Sequence, residues 1–120
     1  MTSVLFVDDD VLALQLMSKV IDLLGHRAIV SSSPKCGLEL AAYEKPALIL
    51  VDMNMIEMDG VEFVQRVRQT PGIAHLPVLI FSAGNGYSDE EIARKAGANG
   101  FLRKPVGMQE LSKVIQTYTL

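Results

Sequence analysis

The chain has a single cysteine, no tryptophan and two histidines. One thiol cannot close an intrachain disulfide, which excludes the cross-linked scaffolds of small secreted domains and makes a reducing compartment the natural expectation. Cys36, His26 and His75 are widely separated, so a Cys/His zinc site is poorly supplied, and both histidines read as ordinary loop or surface residues. Apolar runs are short, none near the roughly 20 residues that span a bilayer. The opening MTSVLFVDDD lacks a basic start, and its apolar run is too short for an export signal. A cytoplasmic location without membrane association is expected. Basic charge is also in short supply, with 11 Lys and Arg against 14 Asp and Glu, a net charge of −3 and a pI near 5.3. No stretch concentrates the cations, so direct nucleic-acid binding, which needs a basic face for phosphate contacts, is not expected.

What the chain does have is apolar material in a regular order. Its 120 residues are 49% apolar and 21% charged, the mark of a folded chain and the size of one domain, residues 1–120. The runs VLFV, AIV, ALILV, PVLIF and GFL lack period-two alternation and suit parallel strands covered on both faces. Helical spacing fills the gaps. Ala13, Leu16, Met17, Val20, Ile21 and Leu24 mark one buried helix face, with Gly25 as its C′ stop. Ser33 and Pro34 form the N-cap and first position of a second helix, in which Gly37 costs about 1 kcal/mol relative to alanine. Asp59 with Glu62, and Ser88 with Glu91, predict capping boxes for the next two. A last helix from about Met108 buries Leu111, Val114, Ile115 and Tyr118. Strict βα alternation with no linker or repeat predicts an α/β fold, a parallel sheet with right-handed crossovers and helices on both faces. Ligands of such sheets sit beyond the carboxyl ends of the strands, where strand order reverses.

Those ends carry an unusual set. The first strand delivers Asp8 and Asp9, with Asp10 opening the next helix; the third delivers Asp52, then Asn54; the fourth delivers Ser82; the fifth delivers Lys104 ahead of Pro105. Asp10 and Asp59 are accounted for as helix caps, whereas Asp8, Asp9 and Asp52 fall where the strand should still be partly buried. Two like charges 4 Å apart repel by roughly 4 kcal/mol at an effective dielectric of 20, and one lysine offsets only part of that. Either an acid protonates or a divalent cation enters. Few carboxylates, with room for water and phosphate, favour Mg²⁺. A calcium loop starting at Asp52 is rejected, because Ile56 and Glu57 stand where Asp or Asn and then Gly belong. A metal, a carboxylate nucleophile, an ammonium and a hydroxyl are what phosphoryl transfer requires. Asp52 could attack phosphorus to give an aspartyl-phosphate, with Asp8 or Asp9 holding the metal and Lys104 and Ser82 contacting phosphoryl oxygens.

With "VDD", "LVDMNMIEMDG", "IFSAG" and "GFLRKP" in this order over the whole chain, the sequence resembles the receiver domain of response regulators from two-component phosphorelay systems. The resemblance implies a (βα)5 flavodoxin-like, doubly wound sheet of five parallel strands in the order 2-1-3-4-5. It implies Asp52 as phosphoacceptor, Mg²⁺ held by Asp8, Asp9, Asp52 and the main-chain carbonyl of Asn54, and Ser82 and Lys104 on the phosphoryl group. The phosphoryl donor would be a sensor histidine kinase or histidine phosphotransfer protein. A cis Lys104–Pro105 bond is implied, as is a switch in which Ser82 moves inward and Phe101 follows. The surface of the fourth helix, fifth strand and fifth helix would then be read by a downstream output protein or domain, or by a second copy in a phosphorylation-dependent homodimer. Such a domain is no enzyme beyond catalysing its own phosphorylation and dephosphorylation. Three positions depart from the pattern: Ile56 replaces a usual proline, Val106 a common phenylalanine, and Phe101 lacks a hydroxyl, so its switch must work by packing.

Three other readings compete. A small phosphatase of the haloacid dehalogenase class would use Asp8 as nucleophile and Asp10 as general acid, but no second acidic metal motif remains. A flavin carrier needs a glycine- and hydroxyl-rich first loop, where three aspartates would repel the cofactor's phosphate. A phosphate-independent interaction module needs only the surface.

Overall fold

The computed structural model describes residues 2–84 and 87–119, with Tyr87 described by its backbone alone. Five strands alternate with five helices in the order β1 (Ser3–Val7), α1 (Val11–Leu23), β2 (Arg27–Ser31), α2 (Pro34–Glu44), β3 (Leu48–Asp52), α3 (Gly60–Gln69), β4 (Val78–Ser82), α4 (Tyr87–Ala96), β5 (Gly100–Arg103) and α5 (Met108–Thr119). The strands form one parallel sheet ordered β2-β1-β3-β4-β5, the flavodoxin-like arrangement. Strand order reverses between β1 and β3, so the crevice beyond their carboxyl ends is the natural ligand position.

Side-chain alternation along the buried strands builds two cores from one sheet. Leu5, Val7, Ile49, Val51, Val78 and Ile80 face α2, α3 and α4, where Phe63, Val64 and Val67 complete the packing. Val4, Phe6, Leu48, Leu50, Leu79 and Phe81 face α1 and α5, against Leu14, Ile21, Leu111 and Ile115. The central strands β1, β3 and β4 therefore carry unbroken apolar runs, because both of their faces are covered. β3 and β4 are buried along their whole length. Val106, a departure from the family pattern, lines a cavity of about 320 Å³ beside Ala13, Met17, Phe81 and Leu111.

Most helix ends behave as their residues dictate. Asp10 caps α1 by accepting from the Leu12 N–H, Ser33 caps α2 with Pro34 behind it, and Asp59 caps α3 by accepting from the Glu62 N–H. Gly25 follows α1 with φ of 87°. The weakness that Gly37 introduces into α2 has a packing reason: a Cβ there would come within 2.9 Å of Val7 Cγ2. The helix crosses the sheet too closely for any side chain at that point.

Two expectations fail. Leu16 is 67% exposed, while Leu14, outside the expected face, is buried. At about 100° per residue, Leu14 and Leu16 stand some 200° apart, so only one of them can face the sheet. Ser88 does not cap α4, because the helix already includes Tyr87; Glu91 pairs instead with Lys95, 3.1 Å away. The corner joining α3, β4, α4 and β5 is closed by Arg68. Its guanidinium donates to the carbonyls of Ala74, Leu76 and Gly97 and to Asn99 Oδ1, and burial lowers its pKa.

Candidate functional site

The sheet's hydrogen bonding continues past the strands and so fixes the residues that follow them. The Asp8 N–H donates to the Ser31 carbonyl, that of Met53 to Phe81, and that of Lys104 to Ser82. Three chain segments are thereby clamped to their neighbours where the chemistry-bearing side chains begin.

Asp8, Asp9 and Asp52 each present a carboxylate oxygen within 4.8 Å of the others. Asp8 and Asp52 are buried, at 1% and 6% exposure, while Asp9 is exposed. Lys104 Nζ donates to Asp52 Oδ1 at 2.8 Å and to Asp8 Oδ2 at 3.5 Å. Asp8 also accepts from the Asp10 N–H, and Asp9 from the Ile56 N–H, both at 3.0 Å. Ile56 thus does what the family's usual proline, which has no N–H, could not do.

Electrostatic strain is concentrated at Asp8. Burial raises its pKa; the Asp10 N–H opposes the rise, Asp52 adds to it, and Lys104 offsets part. Burial alone would lower the Lys104 ammonium, but its hydrogen bond to Asp52 and the charges of Asp52 and Asp8 outweigh burial and raise it. Two of the three acids, Asp8 and Asp52, share one ammonium. Three carboxylate oxygens within 4.8 Å of one another are hard donors of the kind Mg²⁺ takes, and Asp8, Asp9 and Asp52 could together hold one such cation. The donor set fits that group.

The remaining expected residues are placed less uniformly. Asn54 lies exposed in the loop two residues beyond Asp52. Ser82 is fully buried at the end of β4, and its hydroxyl is bonded outside the three-acid cluster: it donates to Asp89 Oδ2 at 3.1 Å and accepts from the Gly84 N–H at 3.0 Å. Phe101 is half-buried, packs on the α2–α4 side, and has the Arg103 guanidinium 5.4 Å from its ring centroid. The Lys104–Pro105 bond is cis, as expected. Asp10 caps α1 and lies outside the three-acid cluster. Asp89 was not legible as a partner of the site: seven residues from Ser82 and inside an acidic helix start, it carried no signal of its own.

Known proteins resemble this chain in sequence and fold. A family model described as the response regulator receiver domain matches residues 4–116. The KDP operon transcriptional regulatory protein KdpE of Escherichia coli is 35% identical over 92% of this chain, which spans 48% of that protein. The polar-differentiation response regulator DivK of Brucella ovis is 29% identical, with 97% of this chain and 94% of that protein covered. Among solved structures, the chemotaxis protein CheY4 of Vibrio cholerae superposes with a TM-score of 0.92 at 28% identity, covering 98% of both chains.

Proposed function

The chain belongs to the response regulator receiver domain family, and from that premise we propose that residues 1–120 form one phosphorylation-dependent signalling switch with Asp52 as phosphoacceptor. One observation carries this reading: a nearly buried carboxylate at the end of the central strand, paired at 2.8 Å with Lys104 inside a cluster of three acids.

In this reading an Asp52 oxygen attacks phosphorus in line. The P–N bond of a phosphohistidine breaks as the new P–O bond forms, and the imidazole leaves with the electron pair and takes up a proton. Lys104, already raised and therefore fully charged, turns to a phosphoryl oxygen, and the Ser82 hydroxyl donates to another. Asp8, Asp9, Asp52 and the Asn54 carbonyl would hold Mg²⁺, which would neutralise charge on the transferring group. Near-burial of Asp52 keeps bulk water away from the acyl phosphate.

A protein donor, a sensor histidine kinase or a histidine phosphotransfer protein, is supported by the surface beside the acids. Leu12, Leu16 and Leu23 form an exposed apolar stripe on α1, and Ile56 stands 98% exposed in the loop that holds Asp9. This apolar surface adjoins the acceptor and offers a helical partner area to bury. On the other side, α4, β5 and α5 carry half-exposed Ile92 and half-buried Phe101, a surface for an output protein or domain or a second copy of this chain. Among the described residues no helix is long and apolar enough to cross a membrane.

The test is labelling by acetyl phosphate with Mg²⁺. Incorporation into the parent and its loss in Asp52→Ala are expected. A label that survives Asp52→Ala and disappears in Asp8→Ala overturns the reading in favour of the phosphatase.

A further inference from the structure

We propose that Asp89 is a positioning residue that latches Ser82 in the unphosphorylated protein, and that phosphorylation of Asp52 opens the latch and frees the first turn of α4. The trigger rests on the phosphoacceptor reading; the latch itself does not.

Ser82 has no exposure, and its hydroxyl donates its one proton to Asp89 while accepting from the Gly84 N–H. A hydroxyl has one proton. Ser82 cannot donate to a phosphoryl oxygen and to Asp89 at once, so contact with the phosphoryl group requires the Asp89 bond to break. That bond has an ionised acceptor, which makes it about twice as strong as a neutral one. The phosphoryl group also brings new negative charge toward Asp89, which favours separation.

Gly84 makes the closed position possible. A Cβ at this residue would collide with the Asp89 carboxylate and lie 3.2 Å from Ser82 Oγ. The same residue is tied to β5, since Arg103 Nη1 donates to the Gly84 carbonyl at 2.7 Å while its guanidinium covers the Phe101 ring. Ser82, Gly84, Asp89, Arg103 and Phe101 therefore form one connected corner, with the hydroxyl proton at its centre. Opening it loosens α4 one turn ahead of Ile92, which is 46% exposed.

The experiment is a cycle of parent, Ser82→Ala, Asp89→Ala and the double variant, with Asp89→Asn as the conservative control. With acetyl phosphate and Mg²⁺, Asp89→Ala is expected to label about threefold to tenfold faster than the parent, because the hydroxyl is released in advance. Asp89→Asn, which keeps an acceptor without the charge, falls between. In the Ser82→Ala background Asp89→Ala changes nothing. An equal acceleration in that background, or none in the parent, overturns the release, since a helix-terminal charge acting by itself would not need Ser82. Urea melts of the same four proteins without phosphodonor are expected to give non-additive destabilisation; additivity overturns the latch. A parent that takes no label overturns the phosphoacceptor reading and the release with it, while the melts still decide whether Asp89 holds Ser82.

Discussion

Asp8 and Ser82 both close a buried strand, and each is almost wholly removed from solvent, yet their surroundings oppose each other. The hydroxyl of Ser82 has a partner for its proton and a donor for its lone pair. The carboxylate of Asp8 has partners too, but burial and the Asp52 charge still push its pKa upward. The difference separates two ways a protein prepares for a ligand. A strained anionic site is improved by whatever brings positive charge. A satisfied polar site resists, and changes only when something better arrives. This chain has both within one crevice, and coupling between them is what a switch needs.

The largest expected effect breaks the acidic side outright. Asp52→Ala should reduce acetyl phosphate labelling at least about a hundredfold, since no other carboxylate of the cluster occupies the end of the central strand. Next, Lys104→Ala leaves Asp52 and Asp8 without their cation. Because the ammonium is partly solvated, a loss of about 1–2 kcal/mol in metal-free stability is expected rather than the 3–5 of a fully buried pair. Urea melts in chelator check it; an unchanged midpoint would mean the acids are not repelling.

Removing an acid should act in the opposite direction. In chelator, Asp8→Asn or Asp9→Asn should stabilise the fold, by on the order of 1 kcal/mol, a fraction of what crowded carboxylates cost. The pH dependence has a definite sign. A raised Asp8 pKa means that the folded chain binds a proton more tightly than the unfolded one. Metal-free stability therefore falls as pH rises from the ordinary value of 3.8 through the folded value, and Asp8→Asn should lack that fall. Mg²⁺ should erase the difference by stabilising the parent more than the variant. Variants less stable than the parent in chelator would sink the strained-site account.

On the satisfied side, Ser82→Ala should cost about 1 kcal/mol, unaffected by Mg²⁺, because it leaves a part-buried N–H and a part-buried carboxylate short of a partner. A Mg²⁺-dependent penalty would merge the two regions into one. The smallest effect belongs to the α1 surface. Leu16→Glu should change stability by no more than about 0.5 kcal/mol and leave acetyl phosphate labelling intact, yet slow transfer from a protein donor.

Much of this molecule could be read in order along the chain. The strands were visible because burial on both faces leaves unbroken apolar runs, and Ser33, Asp59 and Asp10 announced helix starts through a local bond to a nearby N–H. The acids stood out because a carboxylate directly after such a run has no local excuse. Leu16 and Leu14 exchanged roles because neighbouring apolar residues on a helix blur the phase of the buried face. Ser88 was misread because three acids follow it and any Ser before them looks like a cap. Asp89 and the Ile56 N–H were invisible because their partners, Ser82 and Asp9, lie on other elements.

By itself the sequence determined the alternation of elements, the sheet they must form and the acids that would crowd its edge, because each depends on residues within a turn or a strand of one another. Only the tertiary structure decided which hydroxyl proton goes to which carboxylate, and which backbone N–H steadies Asp9. Those bonds join different elements, one across seven residues and the other across 47, and their direction is set by distances of a few tenths of an ångström that no pattern of residue types encodes.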